Sequence, residues 1–135
     1  MRSEIQNAGT IVVKVGTSTL TYENGKLNLK RMEQIARILT DVKNSGKKVV
    51  LVTSGAIGVG MSKMGLKEKP EEIKSMACGA GSKRGTGGMI TKLTAAEIAT
   101  DEGIQVVIAN GKDPHIIYRI LEGKEIGTIF KGKKA

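Results

Sequence analysis

Two lysines and three glycine-bearing loops are the residues of this chain best suited to chemistry. Lys14 stands inside the apolar run Ile11-Val12-Val13-Lys14-Val15, where a cation is costly unless an anion or carboxylate meets it. That run ends at Gly16-Thr17-Ser18, a second ends at Ser54-Gly55-Ala56, and a third cluster, Gly85-Thr86-Gly87-Gly88, precedes a helical pattern carrying Lys92. Small residues let backbone N–H groups come close to an anion, and the hydroxyls of Thr17, Ser18, Ser54 and Thr86 add donors. Such donors at a helix start, joined by two lysines, suit a transferring phosphoryl group, because its catalysis rests on positioning and on neutralising charge. Each loop alone also reads as a plain turn, Lys14 as a side chain that snorkels from a strand end, and Lys92 as a solvated helix residue. No Gly-Lys pair is followed by Ser or Thr, and no G-x-G-x-x-G opens a helix after a strand. A P-loop or dinucleotide-binding enzyme is therefore not expected.

The elements that must position these groups follow from hydrophobic spacing. Ile11 to Val15 reads as a β-strand buried on both faces. Met32, Ile35, Ala36, Leu39 and Val42 recur at helical spacing, with Asn28 placed to cap the start and Gly46 the end. Val49 to Thr53 makes a second strand, parallel to the first if the two are neighbours. After a break, Met89 to Glu102 reads as a helix with Leu93, Ala96 and Ala99 or Ile98 on one side. Ile104 to Ala109 is a strand, Asn110-Gly111 a turn, and Asp113 with Pro114 the start of a helix through Ile116, Ile117, Ile120 and Leu121. Ile126 to Phe130 closes the order as a short strand. Alternating strands and helices with near-continuous apolar strands predict an α/β protein, a three-layer α/β/α sandwich around a mostly parallel sheet. Residues 63–88 break the pattern and are long for a connection inside one compact domain.

Composition narrows the partners. A chain of 135 residues fits one domain. Its aromatic residues are Tyr22, Tyr118 and Phe130 alone, too few and too scattered for a base-stacking platform, so no nucleic acid is expected. The formal charge of +9 favours anionic partners, although the basic residues are spread along the chain among acids. Cys78 is the single cysteine and His115 the single histidine; one thiol excludes an internal disulfide and fits a reducing compartment. No run approaches the roughly 20 apolar residues of a membrane span, and Met1 to Thr10 is too polar for a signal peptide. A cytoplasmic protein without a membrane partner is the expectation. Glu71, Glu72, Glu97, Asp101 and Asp113 form no pair suited to a metal, and they read as solvated helix faces or caps.

Three segments carry a resemblance. Ile11 to Ser18, Val50 to Ile57 and Gly85 to Leu93 look like the corresponding stretches of the glutamate 5-kinases, a branch of the amino acid kinase family. Val107-Ile108-Ala109-Asn110-Gly111 and Gly127-Thr128-Ile129-Phe130 follow in the same order. The likeness runs from about Thr10 to Phe130. It implies transfer of the γ-phosphate of ATP, with Mg2+, to the side-chain carboxylate of L-glutamate, the first step of proline biosynthesis. Carried over residue by residue, Lys14 and Lys92 are the catalytic lysines. Lys14, Gly16 and the stretch Thr86, Gly87, Gly88, Met89, Ile90, Thr91 and Lys92 match the ATP site, and Ser54, Gly55 and Ala56 match the glutamate loop. Residues 1–70 resemble the glutamate-binding first lobe and 75–131 the nucleotide-binding part of one shortened domain, with no RNA-binding-like domain after Phe130. The join near Pro70 to Lys74 omits a central section in which the family keeps functional aspartates, which puts turnover in question. A non-catalytic basic α/β module for nucleotides or other polyanions is the alternative, and sheet edges left by the omission make a homo-oligomer reasonable.

Overall fold

The computed structural model describes residues 2–53 and 88–133. Helix α1 (Arg2–Gln6) leads into strand β1 (Thr10–Val15), a one-turn helix α2 (Thr17–Leu20), the long helix α3 (Leu29–Asn44) and strand β2 (Lys48–Thr53). Beyond residues 54–87 come α4 (Gly88–Asp101), β3 (Val106–Ile108), α5 (Ile116–Leu121) and β4 (Thr128–Phe130). The class is α/β, as expected.

β1 and β2 pair in parallel from Thr10↔Lys48 to Val15↔Thr53, and α3 makes the crossover that parallel strands require. Asn28 fixes where α3 begins: its side-chain oxygen accepts a hydrogen bond from the Arg31 N–H at 3.1 Å, taking up one of the amides a helix start leaves free. α3 ends at Ser45, whose N–H donates to the Asp41 carbonyl. The buried stripe of α3 is Ile35, Ile38, Leu39 and Val42, set by the 3.6-residue period. Ala36, expected on that stripe, is exposed. Ile35, Leu39 and Val15 form the core, with Val13, Leu20, Val49 and Ile117 packed around them.

Burial of β1 on both faces does not hold. Val13 and Val15 turn toward α3, while Val12 is 63% exposed and Val50 and Val52 of β2 are exposed with it. Among the described residues β1 belongs to a two-stranded sheet, and its side chains alternate between a covered and an open face, whereas β2 is exposed from Val50 to Thr53.

The second half is shorter in its elements than its sequence suggests. α4 buries Ala96 and Thr100 and leaves Leu93 and Ile98 exposed, because its apolar residues run all round the helix and define no single face. β3 and β4 pair antiparallel from Val106↔Phe130 to Ile108↔Thr128; the chain between them turns back after α5 rather than crossing over. α5 begins two residues later than expected: His115, not Asp113, holds its N-cap position and makes no side-chain cap bond, while the Asp113 carboxylate accepts the His115 N–H at 3.0 Å in the turn before the helix. Hydrogen bonds among the described residues join the halves: the Tyr118 hydroxyl donates to Asp41 at 2.8 Å and Arg2 to the Ile126 carbonyl at 3.2 Å. Gln6 of α1 also donates to the Glu122 carbonyl, so the amino terminus, which the sequence pattern leaves without an element, braces α5. The join near Pro70 to Lys74 lies outside the described residues. Among those described, no helix is long and apolar enough to cross a membrane.

Candidate functional site

β1 and β2 finish at the same edge of their sheet, with Val15 beside Thr53. This is the carboxyl edge, where parallel α/β sheets collect ligands. Lys14 stands one residue before the end of β1, opposite Val52 and exposed. It lies on the face away from α3, since its neighbours Val13 and Val15 supply the core face. Gly16 is extended, with φ −74° and ψ 159°, and passes the chain into α2. Among the described residues, a methyl group on Gly16 would meet nothing closer than the Ser18 hydroxyl oxygen at 3.9 Å.

Of the two hydroxyls in this loop, Ser18 is exposed and Thr17 is buried. The Thr17 carbonyl accepts the Thr21 hydroxyl at 3.0 Å, so Thr17 serves the short helix that the sequence pattern passes over. A tight turn follows, in which the Tyr22 N–H donates to the Lys26 carbonyl at 2.8 Å. It returns the chain to Asn28 at the same edge of the sheet.

Gly88 opens α4, and Met89, Ile90, Thr91 and Lys92 lie exposed on its first turns. The Thr91 hydroxyl donates to the Gly88 carbonyl at 3.0 Å, a bond back into its own helix. Among the described residues neither Lys14 nor Lys92 takes part in an ion pair. α4 packs on β3, and no hydrogen bond among the described residues ties Lys92 to the β1 loop. Thus Lys14 and Gly16 share one edge, and Lys92 is held on a different element. Ser54, Gly55, Ala56, Thr86 and Gly87 lie outside the described residues.

A second concave feature, absent from the sequence reading, sits where α3 begins. Lys30 and Arg31 of its first turn face Lys112, Asp113 and Pro114 across a cavity of about 290 Å³. The available signal was two cations and no acid in the first turn of a long helix, the reverse of what the helix dipole favours. Asp113 is held well ionised: its hydrogen bond from His115, with smaller help from the charges of His115 and Arg119, lowers its pKa from 3.8. Among the described residues no three His, Cys, Asp or Glu side chains gather as a metal site.

Comparison with known proteins gives this geometry a context. The chain is similar to the glutamate 5-kinase of Clostridium perfringens, 29% identical over 267 residues with 99% of each chain covered. It is similar to that of Listeria monocytogenes, 25% identical over 267 residues with 99% of this chain and 97% of the relative covered. A glutamate 5-kinase of Caldanaerobacter subterraneus is 29% identical over 249 residues, with 89% and 67% covered. An alignment of 267 residues is about twice the length of this 135-residue chain, so stretches of each relative face no residue here. The model of the amino acid kinase family matches residues 9–80, which takes in α3 and both strands of the parallel pair. By that match this chain belongs to the amino acid kinase family.

Proposed function

We propose that this chain moves the γ-phosphoryl group of ATP to the side-chain carboxylate of L-glutamate, the reaction that opens proline biosynthesis. The observation that carries the reading is its similarity, across 99% of its length, to proteins named glutamate 5-kinase. In that reaction a carboxylate oxygen of glutamate bonds to Pγ while the bond from Pγ to the bridging oxygen of the β-phosphate breaks. ADP leaves with the electron pair, and glutamyl 5-phosphate remains. Two anions must approach, so cations have to offset their repulsion.

Lys14 takes that role at the carboxyl edge of β1, where it is exposed and outside any ion pair among the described residues. Gly16 gives the nucleotide room; its dihedral angles suit any residue, and among the described residues only the Ser18 hydroxyl oxygen comes within 4 Å of an added carbon. Lys92, one turn into α4, serves as the second cation, and Thr86 to Thr91 hold ATP. Ser54, Gly55 and Ala56 hold glutamate. On this reading 1–70 is the glutamate-binding part and 75–131 the nucleotide-binding part of one domain acting in the cytoplasm, and copies associate through open sheet edges. The described residues offer no group of carboxylates for Mg2+, and no step is assigned to that ion.

ADP release in a coupled assay with ATP, Mg2+ and either L-glutamate or L-aspartate tests the reading. Release that requires glutamate, with hydroxylamine trapping the acyl phosphate, supports it; release without an amino acid, or equal release with aspartate, overturns it. The charge of +9 favours a second reading, a module that binds nucleotides or other polyanions without turnover. Steep salt dependence with no preference for ATP over other polyanions distinguishes that case.

A further inference from the structure

We propose that the cavity between the first turn of α3 and the loop after β3 is a second anion site, built for a compact phosphate-bearing ligand. It shares no residue with the phosphotransfer site proposed above. Lys30 and Arg31 enter it from α3, and Lys112 faces them from the loop that ends in Pro114. The first turn of α3 contains no acid, so two positive side chains sit at the positive end of a 16-residue helix. Lys112 adds a third cation across the gap.

Like charges gathered at a helix start oppose folding, and an anion between them removes that opposition. The acid in the wall does not do so, because Asp113 is already engaged. Its carboxylate accepts the His115 N–H at 3.0 Å, lies 2.9 Å from His115 Nδ1 and pairs with Arg119 at 3.5 Å. Among the described residues Lys30 and Lys112 form no ion pair.

Part of the wall is fixed in place, while Lys30, Lys112 and Asp113 stand exposed around its open side. Asn28 is buried and spends its side-chain oxygen on the Arg31 N–H, Pro114 is buried, and Arg31 Nη1 donates to the Thr19 carbonyl at 3.3 Å. That last bond holds the guanidinium at the wall and leaves its other N–H groups for a phosphate, whose oxygens match the planar fork. About 290 Å³ lies near the lower end of small-molecule sites, roughly 300 to 1,000 Å³. The class of ligand is therefore a small phosphorylated metabolite or a short polyphosphate.

The test titrates pyrophosphate into the full chain and follows backbone amides by NMR, with affinity taken from calorimetry. Saturable shifts at Asn28 to Arg31 and Lys112 are expected, with affinity reduced at least tenfold in Lys30→Ala/Lys112→Ala. Arg37→Ala, an exposed α3 residue paired with Glu33, keeps the original affinity and controls for charge alone. Lys14→Ala/Lys92→Ala retains the shifts at Asn28 to Arg31, which separates this site from phosphotransfer. Absence of saturable binding, an equal loss in Arg37→Ala, or binding that depends on Lys14 and Lys92 but not on Lys30 and Lys112 overturns the proposal.

Discussion

Replacing Gly127 with alanine puts a methyl group into a backbone shape that L-residues avoid and a space already filled. Gly127 has φ +70°, in the left-handed region, where a side chain costs about 1 kcal/mol or somewhat more. Its Cβ would fall inside contact distance of the Ile108 carbonyl oxygen and 2.9 Å from the Ala109 Cβ. Ile108 is the last residue of β3 and Ala109 follows it, so the strand pair itself must shift, at a cost of about 1 to 3 kcal/mol. Reduced freedom of the unfolded chain returns about 0.4 to 1 kcal/mol. The net loss is about 1 to 4 kcal/mol, which lowers Tm by roughly 3 to 20 °C in a chain of this size.

Two further variants separate the causes. Gly25 has φ +81° and, among the described residues, no atom within 4 Å of the added carbon, so Gly25→Ala loses only the conformational part, about 1 kcal/mol. Gly132→Ala meets the Gly103 backbone and loses only the steric part. Thermal melts followed by circular dichroism, with urea titrations for the free energies, read all three. A Gly127→Ala protein that melts within a degree of the parent, or no lower than Gly25→Ala, would refute the packing described for β3 and β4.

Two other outcomes follow from the fold. Ile38 is 2% exposed on α3, so Ile38→Ala should lose about 2 to 4 kcal/mol in urea unfolding; a loss below about 1 kcal/mol would mean that α3 does not bury this face. Asp113 titrates below its usual 3.8 because of His115, so folding favours its ionised form. That contribution is complete above the unfolded value and disappears as pH falls through the lower folded value. Asp113→Asn should therefore show a flatter fall in stability on acidification below about pH 4, and an unchanged acid limb would contradict the assigned bond.

The parallel pair and its crossover are legible in the sequence because each signal there is local and strong. The β-branched runs before Gly16 and Ser54, the 3.6-residue spacing from Ile35 to Val42 and the cap at Asn28 all agree. α4 is less legible: Met89, Ile90, Leu93 and Ile98 encircle the helix, and only tertiary contact selects Ala96 and Thr100 for burial. The four residues of α2 are too short to show a period, and of the strand expected over Ile126 to Phe130 only Thr128–Phe130 forms. Lys14 and Lys92 stand out by residue type within apolar or glycine-flanked runs. The cavity at Lys30, Arg31 and Lys112 does not, since it forms only when segments some 80 residues apart in sequence meet.

The most direct measurement is glutamate-dependent ADP release by the full chain beside its Lys14→Ala and Lys92→Ala variants, each first shown by melting to be folded. If these lysines offset the charge of the transferring group, either substitution lowers kcat by about 100-fold or more. Turnover unchanged in both variants, or no glutamate-dependent release by the parent chain, would contradict the account.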